Sequence, residues 1–203
     1  MHKRHFTAAL LAVALAGSSG LALAQDNTFK IGLILPMTGP FASTGKQLEA
    51  GARLYMSQHG DTVAGRKVVL IVKDDTGTPD VTKRIAQELV VNDKVDVLAG
   101  FGLTPLAFAT APVATQSKTP MVVMSAATSS ITEASPYIIR TSFTVPQVVT
   151  VLADWASKNN IKKVVTLVTD YAPGVDSEKY FSQRFVANGG VVIESLRVPL
   201  RSP

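Results

Sequence analysis

From residue 31 onward, short runs of Val, Ile and Leu alternate with longer stretches whose apolar residues recur at helical spacing. The first pattern suits a buried parallel strand and the second a helix lying on a sheet. Their repetition predicts an α/β fold, a doubly wound parallel sheet with helices on both faces. Residues 31–35 read as a strand stopped by Pro36, and 46–58 as a helix with Leu48, Ala52, Tyr55 and Met56 on one face. Residues 67–73 form a second strand closed by Asp74-Asp75. Thr78 is expected to cap a helix with Pro79 at its first position and Val81, Ile85 and Leu89 inward.

The pattern then repeats: strand 95–99, turn 100–103, a helix from Thr104-Pro105 to Gln116 with the same cap and proline, and strand 121–124. Residues 125–135 read as a polar loop and 137–140 as a short extended piece. A second series follows, with a helix over 146–159 (Val148, Leu152 and Trp155 inward), strand 164–168 and a turn over 170–174. A helix to Asn188 carrying Phe181 and Phe185, and strand 191–195, complete it. No helix is read after that strand, so the second series reads as incomplete, with an unprotected sheet edge.

Ahead of the first strand lies a segment of a different kind. His2-Lys3-Arg4-His5 is basic, residues 6–16 are almost purely apolar, and small residues lead to Ala22-Leu23-Ala24. This is the plan of a secretory signal peptide, cleaved after Ala24. A membrane-spanning helix needs about 20 apolar residues, and Gly17-Ser18-Ser19-Gly20 interrupts the run. The product is therefore expected in the periplasm or outside the cell. Removing Lys3 and Arg4 from the 20 basic residues leaves 18 against 15 acidic ones, too small an excess to imply a nucleic-acid partner. There is no cysteine, and His59 alone remains of three histidines. Thiol chemistry, thiolate or His-rich metal sites and most His-dependent hydrolysis are thereby excluded, and no cofactor is implied.

In open α/β sheets, ligands bind beyond the carboxyl ends of the strands, where loops run into helix N-termini. Four loops have that location: 36–45, 74–79, 100–105 and 125–132. Three carry small hydroxyl residues, among them Ser43, Thr44, Thr104, Ser125, Thr128 and Ser129, which can donate to a carboxylate without adding charge. Any one of these reads most simply as a helix cap; three such loops at one sheet edge point to a site. Gly100-Phe101-Gly102 begins a dinucleotide fingerprint, but its third glycine position holds Pro105. Asp74-Asp75 could be an acid–base pair, although Asp at a strand end more often organises a turn. His59 reads as a surface residue suited to a helix C-terminus, and Tyr171 lies in a loop of the ligand-facing kind.

The strings Pro36-Met37-Thr38-Gly39-Pro40-Phe41-Ala42-Ser43-Thr44-Gly45, Asp74-Asp75 with Pro79, Ser125-Ala126-Ala127-Thr128 and Asp170-Tyr171-Ala172-Pro173-Gly174 resemble the periplasmic ligand-binding proteins of ABC importers. The closest resemblance is to the branched-chain amino acid (Leu/Ile/Val-binding) family with the type I fold. It implies a two-lobed clamp, not an enzyme, that closes on an amino acid or other small organic acid and delivers it to a membrane permease. By position, Thr104 matches the hydroxyl residue that binds the ligand carboxylate. Ser125, Ala126, Ala127 and Thr128 match the loop giving backbone and hydroxyl contacts, and Thr44 falls in the first ligand-facing loop. The family's second-lobe aromatic contact aligns with Pro173, leaving Tyr171 as its substitute. The family is about twice as long, so the chain reads as a truncated copy: a signal peptide (1–24), a first lobe (25–143) and the start of a second (144–203). The acidic residue that holds a ligand ammonium would lie beyond Pro203. A sensor module of the same fold and an exported enzyme using Asp74-Asp75 are the rival readings.

Overall fold

The computed structural model describes residues 27–200; the expected signal peptide, its cleavage point and residues 201–203 lie outside them. The elements are β1 (Thr28–Leu35), α1 (Ala42–His59), β2 (Thr62–Val63), β3 (Arg66–Asp74), α2 (Pro79–Val91), β4 (Val97–Gly100) and α3 (Thr104–Ser117). Then come β5 (Met121–Val123), a 3-10 helix (Ser129–Glu133), β6 (Ile138–Arg140), α4 (Val145–Lys158), β7 (Lys163–Thr169), α5 (Ala172–Ala187) and β8 (Val191–Val198). Six strands form one sheet in the order β2-β3-β1-β4-β5-β6, and β7 and β8 form a second, two-stranded sheet. All pairings are parallel except that of the short edge strand β2 with β3.

The alternation along β1 explains the layering. Ile34 points into a cluster with Ile85 and Leu89 of α2 and Ala107, Ala111 and Ala114 of α3. Its neighbours Leu33 and Leu35 point the other way, toward Leu48 of α1, Met37 and Ala99. The six-stranded sheet is thus sandwiched between α1 and the α2–α3 pair, which aims all three helix N-termini at the strands' carboxyl ends. Leu33, Ile34 and Leu35 are at most 1% exposed, each burial contributing about 1.5–3 kcal/mol. Where β4 ends, Gly100 has φ +116°, and a Cβ there would stand 2.1 Å from the Ile34 carbonyl oxygen. Only glycine permits that approach, which turns the chain across the top of β1 toward α3.

Several local expectations change. Residues 125–135 are not loop throughout, since Ser129–Glu133 forms a 3-10 helix. The turn after β7 is shorter than 170–174 because α5 already begins at Ala172. Thr78 occupies the N-cap position of α2 without a side-chain capping bond. Thr104 is not a cap at all: Leu103 flanks α3 and Thr104 is its first residue. On α1, Tyr55 lies outward, 64% exposed and stacked on His59, whose Nδ1 is 3.0 Å from the Tyr55 carbonyl oxygen. On α4, Val148, Leu152 and Trp155 are 50–56% exposed, whereas Val145, Ala153 and Ala156 are buried. The smaller residues face β7 and α5, where Ala153 and Ala156 pack on Phe185 with Phe181, Val164 and Val192 around them.

Candidate functional site at the carboxyl edge of the sheet

The four loops read as ligand-facing all emerge at the carboxyl ends of β1, β3, β4 and β5. The first two are tied together by Asp74, whose carboxylate accepts from the Met37 N–H (2.9 Å), the Thr38 hydroxyl (2.6 Å) and the Thr76 N–H (2.8 Å). Partial burial alone would raise its pKa, but the donors from Thr38, Thr76 and Met37 outweigh that and hold it below the usual carboxylate range. Asp75 is fully buried and accepts from the Gly77 N–H at 2.9 Å. The Thr82 hydroxyl lies 3.2 Å from its other oxygen but closer, at 2.9 Å, to the Thr78 carbonyl. Burial raises the Asp75 pKa, against the opposing pull of the Gly77 N–H and the Thr82 hydroxyl. Both carboxylates are engaged in shaping loops, which removes the pair as acid–base machinery.

The central observation concerns Thr104 and Thr128. Their hydroxyls meet at 3.0 Å, joining the start of α3 to the loop after β5, and the residues are 1% and 3% exposed. Thr104 can reach because it stands inside the first helical turn instead of capping it. One hydroxyl proton is used between the two, leaving one to donate elsewhere. Among the described residues no protein acceptor takes the N–H groups of Thr104, Ala127 or Thr128. The Ala127 carbonyl accepts from the Val145 N–H (2.9 Å) and the Ala126 N–H donates to the Phe101 carbonyl (3.0 Å), so both ends of the loop are fixed. Uncommitted amides at the start of α3 and in the loop after β5, beside two hydroxyls, are groups that can donate to an anion.

The other candidate residues stand around this pair at varying distance. Thr44 is half-buried in the first turn of α1, its methyl facing Gly102, and its hydroxyl makes no hydrogen bond among the described residues. Ser125 is likewise half-buried with an uncommitted hydroxyl. Tyr171 flanks the start of α5, its phenol raised in pKa by burial. No hydrogen bond joins Tyr171 to the Thr104–Thr128 pair. Asp176 does make the link from α5: its carboxylate accepts from both the Ser129 N–H (2.8 Å) and the Ser129 hydroxyl (2.9 Å). Arg140, at the end of β6, donates to the Thr128 carbonyl. Sequence reading missed Asp176; its one signal is an acidic residue five positions after Tyr171, early in a helix.

Two hollows, neither of them lined by Thr104 or Thr128, differ in kind. One of about 280 Å³ lies between the N-termini of the first three helices, lined by Phe41, Gly77, Thr78, Pro79, Leu103 and Pro105. It brings three of the four loops to one place. A larger one, about 630 Å³, is almost wholly apolar and lies at the amino ends of β1 and β3 beneath α1. It faces away from every helix N-terminus, so size alone does not make it the polar solute site. Among the described residues there is no cluster of potential metal ligands and no helix long and apolar enough to cross a membrane.

Comparison with known proteins bears on the fold and the family. A homologue of Leu/Ile/Val-binding proteins from Brucella abortus is 45% identical over 193 residues, covering 95% of this chain and 48% of its own length. A solute-binding protein of an ABC transporter from Rhodopseudomonas palustris BisB5, solved with 3,4-dihydroxybenzoic acid, is 60% identical. It superposes with a TM-score of 0.85 over 87% of this chain and 49% of that one. A counterpart from Rhodopseudomonas palustris HaA2, solved with p-hydroxybenzoic acid, is 46% identical with a TM-score of 0.84, covering 86% and 48%. The chain thus spans about half the length of these relatives. Residues 28–203 match the family described as periplasmic binding protein, and with the α/β sandwich and its loop edge this establishes that the chain belongs to that family.

Proposed function

We propose that the chain supplies the carboxylate-gripping portion of an extracytoplasmic solute-binding protein serving an ABC importer, with an aromatic carboxylate as its solute. The observation that carries this is the buried Thr104–Thr128 hydroxyl pair beside the free N–H groups of Thr104, Ala127 and Thr128. These are uncharged donors in a desolvated place, where each hydrogen bond to an anion is stronger than in water. Thr44 and Ser125 stand ready as further donors and Tyr171 as an aromatic wall from the second lobe, with the division falling near residue 143. The 60%-identical relative holds 3,4-dihydroxybenzoic acid, which favours a benzoate-like solute over an amino acid. Closure of the two lobes would hand the solute to a membrane permease, after export directed by residues 1–24.

Titration calorimetry of the chain against 3,4-dihydroxybenzoate, 4-hydroxybenzoate, benzoate and leucine tests the reading. Hydroxybenzoates are expected to bind with leucine silent. Binding of leucine alone would return the solute to the amino acid class, and silence toward every carboxylate would overturn the proposal.

A further inference from the structure

The loop that carries Thr128 is held from two sides by charged residues that play no part in the donor set itself. From β6, the Arg140 guanidinium donates to the Thr128 carbonyl. From α5, the Asp176 carboxylate receives both donors of Ser129, the next residue along. The two braces belong to different sheets: Arg140 ends the last strand of the six-stranded sheet, and Asp176 sits on a helix packed against the two-stranded one. Arg140 is also incompletely satisfied, since its Nε is buried without a hydrogen-bond partner. Burial draws its pKa down, while the neighbouring Asp176 carboxylate opposes that shift. A guanidinium with a buried unpaired donor is costly unless an opposite charge stays close, and the Asp176 charge offsets part of that cost for Arg140.

We infer that Arg140 and Asp176 are positioning residues that brace the Thr128–Ser129 loop between the two sheets, coupling the grip on the solute carboxylate to the seating of α5. A solute that needs Thr128 in place would favour the arrangement in which Asp176 holds Ser129. Closure and binding would then be one event, because each is stronger when the other is present. The inference rests on the carboxylate-binding reading above, but its test does not depend on that reading alone.

Two variants separate the contributions. Asp176→Ala removes the acceptor and the charge, while Asp176→Asn keeps one acceptor oxygen for Ser129 and loses only the charge facing Arg140. Hydrogen exchange is measured over residues 127–131 of the ligand-free chain, alongside affinity for 3,4-dihydroxybenzoate and urea unfolding midpoints. The expected result is faster exchange over 127–131 in Asp176→Ala, with affinity falling about tenfold or more, as befits loss of a hydrogen bond to a charged group. Asp176→Asn should recover most of the exchange protection and part of the affinity. Unchanged exchange in Asp176→Ala overturns the brace whether or not the solute binds. Tighter binding in that variant would mean that Asp176 competes with the solute, which also overturns it. If the parent chain binds no carboxylate but exchange still responds as described, the loop brace stands and the solute assignment fails.

Discussion

At the scale of single residues, the hydroxyl pair offers a clean separation of folding from binding. A threonine hydroxyl buried opposite a valine is left unsatisfied and costs about 1–3 kcal/mol, whereas removing both partners with isosteric groups can be nearly neutral. Thr104→Val and Thr128→Val are therefore each expected to lower unfolding stability by an amount in that range, and the double variant to recover most of it. Affinity should not recover, since the double variant lacks both hydroxyls of the buried pair. Urea unfolding and calorimetry on the same four proteins check both halves, and a double variant that binds as well as the parent would remove the pair from the site. The pair was legible because hydroxyl residues in loops at one sheet edge share few purposes. That Thr104 enters the helix instead of capping it was not, since Ser or Thr before proline fits either position and only the path of Leu103 decides.

Elements were legible where the hydrophobic period had a single reading. The parallel strands β1, β3, β4 and β5 and the helices that join them fall where the alternation puts them, because each of these strands is covered on both faces and each helix on one. On α4 the period identified a shared face without identifying which face has a neighbour. Val148, Leu152 and Trp155 do align, but Ala153 and Ala156 allow the closer approach to Phe185 and win the interior. What fixes that choice is partly electrostatic. Asp154 on α4 receives Arg184 Nε at 2.6 Å and Nη2 at 2.9 Å, with Asn188 at 2.7 Å, all from the end of α5 and the residue beyond it. The Arg184 and Asn188 hydrogen bonds hold the Asp154 carboxyl down to about 2, against an ordinary 3.8. A depressed carboxylate stabilises the fold fully above its ordinary value and loses that contribution as pH falls toward its folded value. The α4–α5 contact is therefore expected to loosen between about pH 4 and pH 2. Amide exchange in α5 should rise across that window in the parent chain, while Asp154→Asn should show the looser state already at pH 7 and no step below it.

For the molecule as a whole, the unequal covering of the two sheets has a consequence for behaviour in solution. The six-stranded sheet has helices on both faces, but α4 and α5 cover only the face of the β7–β8 pair that carries Val164, Thr166 and Val192. On the opposite face Val165 and Leu167 are 51% and 65% exposed, and on α4 Val151, Leu152 and Trp155 are bare as well. A parallel sheet with an open apolar face is unusual for a lone soluble unit, and a patch of this kind drives association. The chain as described is accordingly expected to self-associate with rising concentration. Trp155 is the sole tryptophan and half-exposed, so its emission should shift to shorter wavelength over the same concentration range in which sedimentation shows larger species. Val165→Lys combined with Leu167→Glu places charges where water already reaches and should leave the unfolding midpoint within about 1 kcal/mol of the parent. That variant should stay monomeric at concentrations where the parent associates. Equal association in both proteins would shift attention to the apolar hollow beneath α1, whose wall includes the exposed Tyr55 and Val63.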